Sequence, residues 1–187
     1  MNLAERLERG IHCGARATRR ASKGIVRSAG RTQLEFRGLR VMHGGPRAMY
    51  LPEHSHVETQ IQTCFRRTGD HGAMEPHRSS LYAPGQAHTG GIRDNWEVVV
   101  MLLEPQLMAL AADELFSRDQ FEIKPFSSLR SPLVEQLNEA ALGELHSPQG
   151  PSLFYLESIG HAISGYLLRH HAVTSPLRVT SGTLSSG

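Results

Sequence analysis

Residues 51–91 read LPEHSHVETQIQTCFRRTGDHGAMEPHRSSLYAPGQAHTGG, and this stretch decides the fold. It opens on His54-Ser55-His56 and closes on Pro84-Gly85-Gln86-Ala87-His88. Side chains two apart on an extended strand project from one face. If a second strand brings His88 onto that face, three imidazoles converge with Glu58 or Gln60. From His56 onward the pattern alternates, with Val57, Thr59, Ile61, Thr63 and Phe65 on one face and Glu58, Gln60, Gln62 and Cys64 on the other. This predicts a strand whose second face is polar yet turned inward. Polar residues pointing into a barrel mark a ligand cavity rather than a packed core.

Working upstream, Gln33 to Val41 alternates and reads as a first strand, with Leu34, Phe36, Leu39 and Val41 its apolar members. His43-Gly44-Gly45-Pro46 is a turn signal, and Met49 to Leu51 a short extended piece. Residues 1–32 are expected to form a basic arm, loosely ordered apart from a short helix near Leu3–Glu8. Downstream, Ser79–Ala83 predicts a strand, Pro84-Gly85 a turn, and Trp96–Leu103 (WEVVVMLL) a buried strand, with Trp96 as core. Short strands at this spacing argue a small β-barrel or sandwich. After Glu104 the apolar period lengthens to that of a helix. Pro105 starts a helix to about Ser117, and Gln120–Lys124 reads as one returning strand. Two helices follow, 131–146 and 152–170, broken by Ser147-Pro-Gln-Gly-Pro. The first carries a stripe of Leu133, Leu137, Ala140, Ala141 and Leu145; the second aligns Leu153, Leu156, Ile159, Ile163, Tyr166 and Leu167. The second is apolar on more than one face, since Phe154 and Ala162 extend it, so it is expected to be core and dimer seam together. The Ser/Thr/Gly-rich 173–187 reads as a linker or tail.

The totals set the outer bounds. A chain of 187 residues buries a real core as a single domain. Hydrophobic content of 39% and charged content of 20% are ordinary for a globular protein. No apolar run is long enough to span a bilayer, and Met1–Arg31 has no apolar core of a signal peptide, so the expected location is the cytoplasm, with no membrane partner. Two cysteines, Cys13 and Cys64, are not a disulfide framework, and Cys64 reads as a small core residue. The charge is lopsided: residues 1–47 hold 11 basic side chains against 3 acidic, and residues 48–187 hold 9 against 15. The basic leader lacks the interleaved aromatics of a nucleic-acid surface and reads as solvated. No phosphate-binding loop, Ser-His-Asp set or Cys-x-x-Cys is present.

These features together resemble the cupin superfamily, and more narrowly the N-terminal sensing domain of AraC-type transcription regulators. His54-Ser55-His56 matches the cupin His-x-His, and Pro84-Gly85-Gln86-Ala87-His88 approximates its later Pro-x-Gly-x-x-His. Gln60 or Ile61 stands where the cupin glutamate falls. The opening Leu-Pro-Glu-His-Ser-His, the apolar strand ending in Glu104-Pro105, the short helix, the lone strand and the helix pair extend the resemblance over residues 33–172. It implies an α+β fold: a cupin-like β-barrel (double-stranded β-helix or jelly roll) over residues 33–125, followed by a helical dimerisation hairpin over 126–172. It implies a small-molecule effector in the barrel, lined by His54, His56, Glu58, Gln60 and His88. It also implies a homodimer through helices 131–146 and 152–170, with DNA contacted only by a helix-turn-helix half outside these residues.

Two readings of the histidines stand side by side. His54, His56 and His88 suit a divalent metal (Zn, Ni, Fe or Mn), with Gln60, Glu58 or water completing it. Alternatively they line the effector pocket by hydrogen bonding alone. A stand-alone metal-dependent cupin enzyme, of dioxygenase or isomerase type, is the competing function. His43, His71 and His77 fall in turn regions and are expected at the surface, and His170-His171 ends a helix, where imidazolium suits the dipole.

Overall fold

A computed structural model describes residues 24–28, 31–45, 49–68, 73–92, 96–116 and 121–173. The expected helix near Leu3–Glu8, His71, Cys13 and most of the tail lie outside them. The protein is α+β. In chain order the strands are β1 (Gly24–Ser28), β2 (Arg31–Phe36), β3 (Leu39–Gly44), β4 (Met49–His54), β5 (Thr59–Thr68), β6 (Ala73–Tyr82), β7 (His88–Ile92) and β8 (Trp96–Leu103). Helix α1 (Pro105–Phe116), β9 (Glu122–Ile123), β10 (Phe126–Leu129), α2 (Pro132–His146), α3 (Leu153–His171) and β11 (Ala172–Val173) follow.

The large sheet is antiparallel, in the order β1-β2-β3-β8-β5-β6-β10. A separate two-stranded ladder pairs β4 with β7, and a third pairs β9 with β11. Among the described residues no ladder joins the first two sheets, so the expected closed barrel does not form. The large sheet ends in β1 at one edge and β10 at the other, and these edge strands occupy the positions where closure would have to occur. The path is a wound one: β3 lies in the large sheet, β4 in the small, β5 and β6 in the large, β7 in the small, and β8 returns between β3 and β5.

The expected single strand from Gln33 to Val41 is a hairpin. Arg37 and Gly38 both take left-handed backbone conformations, φ 40° and 85°, and Phe36 pairs with Leu39. Two consecutive positive φ values make the tight turn whose twist matches paired strands. The break was visible in the sequence as a skipped beat, since strict alternation after Leu34 and Phe36 requires an apolar residue at 38, not 39. The last part of the supposed arm, Gly24–Ser28, is likewise a strand paired with β2.

Directly paired residues share a face, so the register assigns each side of the large sheet. Leu39, Val41, Ile61, Phe65, Leu81, Val99 and Met101 belong to the core cluster that also takes in the buried residues of all three helices. Arg40, Gln60, Tyr82 and Leu102 are register partners on the opposite face, which β4 and β7 cover. The sheet therefore separates an apolar core from a polar cup.

Helix α1 begins at Pro105, where the missing N–H costs nothing. Helix α2 is capped by Ser131, whose hydroxyl accepts from the Val134 N–H, and α3 by Ser152, which accepts from the Tyr155 N–H. Of the expected α2 stripe, Ala141 and Leu145 are fully buried and Leu137 and Ala140 pack against the core, but Leu133 is exposed and Val134 and Asn138 are buried beside them. Asn138 holds a core position by donating its Nδ2 to the Val134 carbonyl at 2.8 Å. A polar residue in the stripe displaces any reading based on apolarity alone. Helix α3 packs more closely beside α1 than α2 does, and its buried side is Leu156, Ile159, Gly160, Ile163, Ser164, Leu167 and Leu168. Its inner side is part of the core, as expected of it.

Candidate functional site

Three histidines meet in the cup, brought there by two connections rather than by one strand. His54 ends β4, and its register partner is His88, the first residue of β7. His56 lies in the link from β4 to β5, because β5 begins only at Thr59 and not at His56 as the alternation suggests. The turn before β7 fixes His56 from the other side. Gly85 takes φ 77°, Gln86 N–H bonds the Ala83 carbonyl at 3.1 Å, and Gly85 N–H bonds the His56 carbonyl at 2.7 Å. Proline followed by glycine is the residue pair that such a turn demands. The Pro84-Gly85 turn thus positions both His88, three residues on, and His56, across the gap.

The ring centroids of His54 and His88 are 4.4 Å apart, those of His54 and His56 5.0 Å, and those of His56 and His88 5.6 Å. One ring nitrogen from each lies within 4.8 Å of the other two. Two of the rings are oriented by the backbone. His54 Nδ1 is 2.7 Å from the Pro52 carbonyl and His88 Nδ1 is 3.1 Å from the Gln86 carbonyl. A carbonyl only accepts, so both Nδ1 atoms carry the proton and both Nε2 atoms carry a lone pair. His88 Nε2 is buried and has no hydrogen-bond partner among the described residues. Burial pushes the His56 imidazole below its ordinary value, with the neighbouring His54 adding to the effect and Glu58 opposing it. Burial also lowers His88, against the pull of its bond to Gln86. Neutral imidazole is the form that coordinates metal.

The floor of the cup belongs to the large sheet. Tyr82 stacks on His88, centroids 4.0 Å apart and planes within 16°. Gln60, the register partner of Tyr82, is 3% exposed, and its Oε1 lacks a partner. Glu58 is drawn off: its carboxylate lies 3.6 Å from Arg40 Nη2, while Arg40 Nε bonds Glu35 at 3.1 Å. Of the five residues expected here, the structure brings His54, His56 and His88 together, pairs Gln60 in register with Tyr82, and commits Glu58 to an ion pair. Tyr82 and Arg40 were not anticipated. Both sit at even register with Gln60 along paired strands, a relation that requires the strand pairing to be known.

Several other side chains differ from expectation. His43 is not at a turn surface but in β3, half-buried, with Nε2 2.6 Å from Glu97 Oε2 and Nδ1 3.0 Å from His146 Nε2. His77 lies within β6. Trp96 opens β8 half-buried. Cys64 is half-buried outside the core cluster; burial raises its thiol, and Gln62 Nε2 donates to its sulfur at 3.9 Å. At the end of α3, burial and the neighbouring His170 hold His171 below its ordinary value, so it is poorly suited to the charged capping role expected of it. No helix among the described residues is long and apolar enough to cross a membrane.

Comparison with known proteins gives no match: no family model, no curated protein and no solved structure aligns with this chain.

Proposed function

We propose that this chain is a small-molecule sensor of the cupin type, in which His54, His56 and His88 hold a divalent transition metal and the effector binds beside it. The observation that carries this reading is the fixed tautomer pair: His54 and His88 each spend Nδ1–H on a backbone carbonyl and keep an Nε2 lone pair, that of His88 buried and without a partner among the described residues. Backbone acceptors that orient ligating histidines are the usual outer partners of a metal. Bonds of about 2.1 Å to a common tetrahedral ion would set the three nitrogens ~3.4 Å apart, against separations of up to 4.8 Å here. On the same face of the sheet as Tyr82, Gln60 offers a buried neutral oxygen as a further donor. The winding of β3 to β8 between two sheets supports the jelly-roll relationship, and the AraC-type resemblance supplies the role. An effector that prefers one dimer geometry shifts its population and so the state of a DNA-binding half outside these residues.

The test is metal retention by the untagged full chain. Zn2+ loaded by dialysis should remain at this cluster in wild type and be lost from it in His56→Ala and His88→Ala. Retention unchanged by both substitutions would remove the metal from the site. The competing reading, a stand-alone metal-dependent cupin enzyme, draws on the same set, since three protein donors leave positions open for a substrate. Turnover of an oxidisable or isomerisable small molecule by the loaded chain, lost with His88→Ala, would favour the enzyme. Saturable binding without turnover would favour the sensor.

A further inference from the structure

A second set of nitrogen donors lies on the other face of the large sheet. His43 follows Leu39 and Val41 on the helix-facing side, and Glu97 lies on β8, the strand paired with β3. Glu97 is 1% exposed, and its Oε2 lies 2.6 Å from His43 Nε2. A carboxylate oxygen accepts, so His43 carries its proton on Nε2 and presents the Nδ1 lone pair outward. Facing it is His146 Nε2 at 3.0 Å, with the two rings nearly perpendicular at 88°. His146 is exposed and closes the last turn of α2.

We propose that His43 Nδ1 and His146 Nε2 form a second site for a divalent transition metal, with water completing the coordination. Three observations point the same way. Metal–nitrogen bonds of about 2.05 Å place two donors ~2.9 Å apart at right angles and ~3.3 Å apart at the tetrahedral angle of Zn2+, a range that brackets the 3.0 Å observed. A carboxylate hydrogen-bonded to the far nitrogen of a ligating imidazole fixes the tautomer and raises its basicity, which is the relation of Glu97 to His43. The Glu97 carboxylate bonded to His43 and the place of His146 at the C-terminus of α2, whose dipole favours positive charge, both suit a cation. Imidazole donors with water select Zn2+, Ni2+ or Cu2+ over Mg2+ or Ca2+. An ion there ties the end of α2 to β3 and β8. Without the ion, His146 Nε2–H donates to His43 Nδ1 across the same 3.0 Å, so binding displaces this hydrogen bond and leaves the His146 proton on its Nδ1.

The experiment measures Zn2+ and Ni2+ binding stoichiometry by calorimetry on the untagged full chain, using the bare ions. The background is the triple variant His54→Ala/His56→Ala/His88→Ala, which removes the first cluster. The triple variant should bind one ion, and adding His146→Ala should abolish it. Glu97→Gln, nearly isosteric, should keep the stoichiometry and weaken binding on the order of 10- to 100-fold, the usual effect of losing an outer partner. No ion bound to the triple variant would overturn the site, leaving a hydrogen bond between two rings. An ion that survives His146→Ala would overturn it equally, since it sits elsewhere. If wild type and triple variant each bind one ion, lost with His146→Ala, this site stands and the metal reading of the first cluster falls.

Discussion

His56 and His88 make the cup sensitive to acid in the metal-free state, and the sign follows from their burial. Both imidazoles sit below the ordinary value in the folded protein, chiefly because burial penalises the charged form. In the unfolded chain they titrate near pH 6.5. Above that pH neither state is protonated, and the pair has no effect on pH dependence. As pH falls through about 6.5 the unfolded chain takes up protons first, so stability drops until the folded imidazoles also protonate. The chelator-treated protein should therefore show a lower urea midpoint at pH 5.5 than at pH 7.5. His56→Gln/His88→Gln should lose less over the same interval. Equal losses would mean that the two rings titrate alike in both states. Metal at the cluster would exaggerate the dependence, because protons and ion compete for the same lone pairs.

Among the elements, those whose signal is local were legible and those defined by their partners were not. WEVVVMLL is a strand by composition alone, and β8 is central, with β3 on one side and β5 on the other. Helices α1, α2 and α3 announce themselves through Pro105, Ser131, Ser152 and a helical period. Strand β10 escaped because Phe126–Leu129 has no alternation of its own and exists by pairing with β6. The three histidines of the cup were readable because two of them lie two residues apart in sequence and the third follows a Pro-Gly turn. The group of His43, Glu97 and His146 was not, since it joins residues 54 and 103 positions apart. The β2–β3 turn carries its own test. Gly38 has φ 85°, and a Cβ there would lie 3.1 Å from the Cβ of Leu107 on α1. Gly38→Ala meets both the left-handed penalty and a backbone-anchored neighbour, and should cost about 1–2 kcal/mol. Gly38→Asn relieves the first cost but not the second, so its midpoint in urea should fall between alanine and wild type. An alanine variant as stable as wild type would mean the turn has changed type.

At the level of the whole molecule, the question is what α3 does with its outer side. Its inner side is core: Leu156, Ile159, Ile163 and Leu167 are fully buried within this chain. Deleting the helix to test dimerisation would therefore unfold the domain and answer nothing. The outer side can be altered without touching that core. Phe154 is 81% exposed, and Ser158 and Ala162 follow it one and two turns on, a small-residue track that lets a second helix approach. Leu110 and Leu115 on the neighbouring α1 are also exposed. If the homodimer forms through this face, Phe154→Glu places two like charges in the seam, and the dissociation constant should rise by on the order of 10² or more. The unfolding free energy of the isolated subunit should stay within about 0.5 kcal/mol of wild type, because an exposed position contributes little to the fold. Sedimentation equilibrium of wild type and variant separates the cases. A variant dimer as tight as wild type would move the interface away from α3. A wild type that is monomeric at high concentration would remove the dimer, and with it the proposed route from effector to DNA.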